Sequence, residues 1–177
     1  MPFKKRGYFF VIDALLGLSI IVIGIFLITA SYTKVPQSTP VGFLADDLIN
    51  FLSERKIKDL NNKYAGIGGE LWNQGLITNG ENSLLQQIGI FYKTNKLNIA
   101  NNFINNITIG VVPQQYMYEV WIDGTLLYPQ PQTPEHDKSK ASTNLMITSK
   151  QITFGILNAT TGDIFGPYKV EVFVWEK

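Results

Sequence analysis

The chain has 177 residues, a formal net charge of +1, no cysteine and a single histidine. The lack of thiols excludes disulfide scaffolding and every cysteine-based route to catalysis or zinc binding. The near-neutral balance argues against nucleic acid as a partner, whose footprint is a concentrated basic face.

Residues 1–32 carry the strongest pattern. Lys4-Lys5-Arg6-Gly7 precedes Tyr8–Tyr32, which is apolar or small apart from one acid, Asp13. That stretch is 25 residues long, roughly 37 Å as a helix at about 1.5 Å per residue. A hydrocarbon core of about 30 Å takes about 20 apolar residues, so the segment is long enough to span with some tilt. A secretory signal has an apolar stretch of only about 7–15 residues, so a retained anchor is expected. Lys4, Lys5 and Arg6 precede the span and only Lys34 follows it closely. The positive-inside rule then keeps the N-terminus in the cytoplasm and puts residues 33–177 outside. That outer part holds 12 Lys and Arg against 13 Asp and Glu once Lys4, Lys5, Arg6 and Asp13 are set aside.

An acid inside a membrane span is costly and calls for a partner. Asp13 lies less than two turns from Tyr8, so either it reaches the cytoplasmic headgroups and has no role, or its partner is the free α-amino group of a neighbouring copy, made by cleavage after Gly7. Ala14, Gly17, Ser19 and Gly24 are small, which lets helices approach closely in lipid.

Lys5-Arg6-Gly7 followed by Tyr8-Phe9-Phe10-Val11-Ile12-Asp13-Ala14-Leu15-Leu16 resembles the class III signal of type IV pilins, and looks like that of archaeal pilin-like proteins in particular. The resemblance covers roughly the first 30 residues. It implies a prepilin-type peptidase that cuts between Gly7 and Tyr8, a helix that packs with its copies into a filament core, and an α+β domain outside. Bacterial pilins usually carry Glu at the fifth mature position, whereas cleavage after Gly7 makes Asp13 the sixth residue.

Pro36 and Pro40 predict a kink or linker over 33–40, because proline inside a helix costs about 3 kcal/mol. Thr39-Pro40 reads as an N-cap and first helical residue. The spacing of Leu44, Leu48, Phe51 and Leu52, with Ile49 at the margin, predicts a helix over 41–60. Asp46 and Asp47 on it read as a solvated face, since adjacent helical residues point about 100° apart and do not converge on one substrate. The glycine-rich stretch 65–80 predicts a loop, with Trp72 either in the core, which is favoured because a large ring is worth burying, or in contact with a partner subunit. Its Gly66-Ile67-Gly68-Gly69 lacks the Gly-Lys-Ser/Thr ending of a phosphate loop. A second helix should start near Asn82 or Ser83, with Leu84, Leu85, Ile88, Phe91 and Tyr92 along one side. A third follows over 96–107, with Leu97, Ala100, Ile104 and Ile107 as its stripe and Phe103 beside it.

From Gln115 the period changes to two. Tyr116, Tyr118, Val120 and Ile122 oppose Met117, Glu119 and Trp121, Asp123-Gly124 signals a type I′ hairpin, and 125–128 returns. Residues 129–142, with Pro129, Pro131, Pro134 and mixed charges, predict an exposed loop. Residues 144–157 predict one long or two short strands, and 168–175 alternates again. The expected class is α+β: a long N-terminal hydrophobic helix, a helical middle segment and a C-terminal antiparallel β-sheet. The expected divisions are a basic leader (1–7), a transmembrane or filament-core helix (8–32), the linker (33–40) and an extracytoplasmic domain (41–177).

His136, between Glu135 and Asp137, reads as solvated rather than as a metal ligand, because a proline-rich loop gives no rigid support. No Ser-His-Asp set can be built around it, so no catalytic residue, cofactor or metal is expected. Asn106-Ile107-Thr108 and Asn158-Ala159-Thr160 are N-glycosylation acceptors on the expected outer side. Asn158 is favoured, because Thr161-Gly162-Asp163 predicts a turn beside it. Together these readings predict a structural subunit of a type IV pilus-like surface filament, not an enzyme. Its partners are further copies or other pilin-like subunits, the prepilin peptidase and the membrane, with no nucleic acid, and its role includes adhesion. The alternatives are a permanently anchored single-pass binding domain, which predicts no cleavage at Gly7, and a secretion-system pseudopilin.

Overall fold

The computed structural model describes residues 4–32, 40–143, 145–158 and 160–177 and divides into two units, Met1–Gln37 and Ser38–Lys177. The linker expected at 33–40 lies, apart from Pro40, outside the described residues.

The first unit is one helix, α1 (Lys4–Tyr32), of 29 residues. It begins inside the basic leader, so the backbone of Lys5, Arg6 and Gly7 is continuous with the apolar stretch. Its described side chains run from Phe10 to Phe26. Among these, Leu15, Leu16, Leu18, Ile20, Ile21 and Val22 are each more than half exposed.

The second unit is α+β. It runs α2 (Pro40–Glu54), a 3₁₀ turn (Ile57–Asp59), α3 (Glu70–Asn73), α4 (Leu84–Lys93), α5 (Leu97–Thr108), β1 (Tyr116–Ile122), β2 (Thr125–Tyr128), α6 (Pro134–Ser142), β3 (Met146–Asn158) and β4 (Asp163–Glu176). The four strands form one antiparallel sheet in the order β2-β1-β4-β3. Asp123 and Gly124 both have positive φ, at 45° and 80°, as a type I′ turn between β1 and β2 requires.

The inner sheet face presents Val120, Ile122, Val170, Val172 and Val174, all fully buried beneath α2, α4 and α5. Burying such a side chain contributes about 1.5–3 kcal/mol, and Phe91 of α4 meets Phe103 of α5 edge to face at 5.5 Å. α4 starts where expected: the Ser83 hydroxyl accepts from the Gln86 amide, and the Gln86 side chain returns the bond to the Ser83 amide. This reciprocal cap satisfies two donors that a helix start leaves open.

Four expectations need correction. The helix expected over 41–60 ends at Glu54. Beyond it the chain pairs with 80–84: Leu84 N–H donates to the Arg55 carbonyl, and the Ile57 and Lys58 amides donate to Asn82 and Gly80. A single bridge between Lys56 and Ser83 and the 3₁₀ turn at Ile57–Asp59 thus replace the last helical turns, and Lys56 and Lys58 both reach Glu81, at 2.9 and 2.7 Å. Ile49, placed at the helix margin, is 3% exposed, because α2 turns Ala45 and Ile49 into the core beside Leu48 and Leu52. The 65–80 loop contains the single-turn helix α3, and Trp72 is half-buried against the core rather than enclosed. Finally, 129–142 is not an open loop: Thr133 caps α6, accepting from the His136 amide, with Pro134 at the first helical position.

Candidate functional site

Three surfaces carry the residues singled out by the sequence. The first is α1. Lys5, Arg6, Gly7 and Tyr8 fall in its opening turns, and their side chains lie outside the described residues. Asp13 is exposed on α1 among Phe10, Ile12 and Leu16. Ala14, Gly17 and Gly24 lie further along the helix, and a β-carbon at either glycine would meet nothing within 4 Å. The Ser19 hydroxyl turns inward to the Leu15 carbonyl at 2.7 Å. Among the described residues no helix is long and apolar enough to cross a membrane.

The second surface is the outer sheet face where α6 crosses it. β1 turns Glu119 outward, as the alternation predicts, yet its carboxylate is fully buried. Lys140 of α6 holds both oxygens at 2.8 Å, while Trp121 Nε1 donates to Oε2 and Gln132 Nε2 to Oε1. A carboxylate offers about four acceptor positions, and these four contacts fill them. Glu119 is therefore a clamp for α6 rather than a free base.

His136, expected in solvent, is 3% exposed. Its ring stands edge-on to Trp175 at 5.0 Å, with Nε2 3.8 Å from Glu119 Oε1 and Nδ1 4.0 Å from Asp137. Ser139 accepts from Trp175 Nε1 at 3.1 Å. α6 is thus held through Lys140 on Glu119, His136 on Trp175 and Ser139 on Trp175. The long separation of Glu119 from Lys140 in sequence hid this arrangement; only Thr133-Pro134, the same cap signal as Thr39-Pro40, pointed to it. Among the described residues no group of three or more His, Asp or Glu converges on a point that would hold a metal ion.

The third surface is the far end of the β3–β4 hairpin. Ile152, Phe154, Ile156 and Ile164 line its outer face at 55–70% exposure. A ladder of Lys150, Glu171 and Lys169, with contacts of 2.8 and 3.0 Å, separates this patch from the clamp. Around the edge of β3 lies an apolar cleft of ≈ 680 Å³, walled by Phe154, Ile156, Ile164, Phe165 and Pro167 and bounded by Gln86. Gln86 Nε2 is spent on the Phe154 carbonyl, and its Oε1 on the Ser83 amide. The amide rim is satisfied within the chain, so the cleft presents mainly hydrocarbon.

The two glycosylation candidates differ in structure. Asn106 sits on α5, its amide bonded to the Asn102 carbonyl, and its Thr108 is buried with the hydroxyl shared between the Ile104 carbonyl and Tyr118. Asn158 is exposed at the end of β3, where its Oδ1 accepts from the Thr160 and Thr161 amides. Near Asn106, burial pushes the Tyr118 hydroxyl well above its ordinary pKa, with Tyr128 stacked on it at 4.8 Å.

No protein-family model matches this chain, and neither a curated protein nor a solved structure shows significant similarity to it.

Proposed function

We propose that the chain is a structural subunit of a type IV pilus-like surface filament, an archaeal-type pilin or pilin-like protein assembled through its N-terminal helix. The observation that carries this reading is α1 itself. Between Phe10 and Phe26, α1 exposes Leu15, Leu16, Leu18, Ile20, Ile21 and Val22, which point in different directions around it. A helix that is apolar all round requires lipid or the interior of an assembly. The Lys4-Lys5-Arg6-Gly7 leader in front of it and Asp13 near its start resemble the class III pattern.

On this reading the subunit starts as a single-pass membrane protein with its N-terminus in the cytoplasm and its α+β domain outside. A prepilin peptidase cuts after Gly7, and the new amino group at Tyr8 pairs with Asp13 of a neighbour. Ala14, Gly17 and Gly24 allow close helix approach in the filament core. The outer domain meets surfaces in adhesion and carries any glycan. The role is structural, with no catalytic residue, cofactor or nucleic-acid partner. The rival readings, a permanently anchored binding domain and a secretion pseudopilin, lack a cut at Gly7 in the first case and long filaments in the second.

Gly17→Leu and Gly24→Leu test the proposal. A β-carbon at either position meets nothing within 4 Å, so the subunit should accumulate in membranes at normal level and melt normally. Electron microscopy should then show filaments lost or sharply reduced. Normal filaments from both variants would overturn the packing role of α1.

A further inference from the structure

α6 has no apolar stripe: of its 9 residues only His136 and Ser139 are buried. A short helix with polar sides has little stability of its own, so its few contacts with the sheet decide whether it stays closed. His136 is the incomplete one among them. Its ring is 3% exposed, yet neither ring nitrogen has a hydrogen-bond partner among the described residues, where buried polar atoms are as a rule paired. Each nitrogen instead faces a carboxylate. Glu119 Oε1 of β1 lies 3.8 Å from Nε2, and Asp137 Oδ1 of α6 lies 4.0 Å from Nδ1. An ionised carboxylate only accepts, and a neutral imidazole has a single N–H to donate. The neutral ring therefore serves one side at most, whereas the protonated ring has an N–H for each.

The charges around the ring favour the same form. Two carboxylates, Glu119 and Asp137, are set against one ammonium, Lys140, which leaves one negative charge for the added proton to cancel. β4 contributes Trp175, which carries no charge. Burial, Lys140 and the positive start of α6 act against protonation. Lys140 is spent on Glu119, at 2.8 Å from both oxygens. Glu135 and Asp137 in the first turn offset the helix start.

We infer that α6 is a proton-operated latch. A proton on His136 draws Glu119 and Asp137 onto the ring and fastens the helix over the outer sheet face; loss of that proton frees α6 to lift and uncover Trp175. Histidine changes charge between about pH 5 and 8, so the helix closes in mild acid and loosens as pH rises through that range. The latch lies within the outer domain and does not depend on the filament reading.

The single histidine makes the test direct. In the full-length chain in detergent micelles, the ring carbon NMR shifts of His136 report its protonation. Hydrogen exchange of residues 134–142, corrected for the intrinsic rate at each pH, reports closure of α6. Between about pH 5 and 8 the two should follow one curve, with α6 protection several-fold higher at the acid end and α4 protection unchanged. His136→Gln should remove the pH dependence of α6. Asp137→Asn alters a side chain that is 61% exposed, so the fold should stand while the gain in acid shrinks; this variant decides the matter if His136→Gln does not fold. α6 protection that stays level while the ring titrates, or that falls in mild acid, would overturn the latch. So would a ring that stays neutral across that range, the same gain in His136→Gln, or an undiminished gain in Asp137→Asn.

Discussion

The ring of Phe165 fills the space that a side chain at Gly89 would need. A β-carbon built on Gly89 of α4 falls 2.5 Å from the Phe165 Cε2 atom, and one built on Gly155 of β3 falls 2.7 Å from Cε1. Phe165 is 2% exposed, so two missing side chains admit one large buried ring. That ring fixes the far end of the β3–β4 hairpin against α4 and forms one wall of the apolar cleft.

Gly89→Ala should therefore destabilise the outer domain. Overpacking a filled core costs about 1–3 kcal/mol, and a methyl group at Gly89 fits only if the Phe165 ring is displaced from its place against α4. Urea unfolding of the purified chain measures this. Gly17→Ala, which meets nothing within 4 Å, serves as the control and should leave the same transition unchanged.

Lys140→Ala removes the cation from a carboxylate that is fully buried. Leaving a buried charge unpaired costs about 3 kcal/mol at the low end of the known range. The low end applies because the Lys140 side chain is 35% exposed. A double-mutant cycle with Glu119→Gln should recover much of the loss, and near-additive losses would show that the two groups are not coupled.

Acid should weaken the fold in a defined window. Hydrogen bonds from Lys150 and then Lys169 hold the Glu171 carboxyl below the usual carboxylate range. A depressed folded-state pKa gives stability that is full above the unfolded value of about 4.3 and is lost as pH falls through the folded value. Glu81, held down by Lys58 and Lys56, acts with the same sign. Glu171→Gln should flatten part of the acid limb of the stability profile, by about 1 kcal/mol or less as for a partly exposed ion pair. An unchanged acid limb would contradict this.

The helices α4 and α5 and the β1–β2 hairpin were readable because their signals are local. Ser83 and Gln86 lie three residues apart in one cap, Asp123-Gly124 forms its turn alone, and the stripe from Leu84 to Phe91 follows helical period. α6 was missed because Pro134-Glu135-His136-Asp137-Lys138 has no apolar stripe. What holds it is Glu119, on a strand that precedes it in the chain. Period-two alternation places Glu119 on the outer face correctly and says nothing of a helix that later covers it. The cleft was hidden for the same reason, since Gly89, Gly155 and Phe165 come from three separate elements.

The two sequons should separate cleanly by mass. Asn158→Gln should remove any N-linked glycan from the protein isolated from its native envelope, and Asn106→Gln should leave the glycan mass unchanged. The difference follows from the exposed Asn158 turn and the buried Thr108 hydroxyl. A glycan retained in Asn158→Gln and lost in Asn106→Gln would reverse the assignment.

The central claim is that α1 is processed and assembled, and the N-terminal sequence and intact mass of the protein from its native cell envelope test it most directly. The account predicts a mature chain that starts at Tyr8. A chain that retains Met1 or Pro2 would contradict it and leave a permanently tethered outer domain instead.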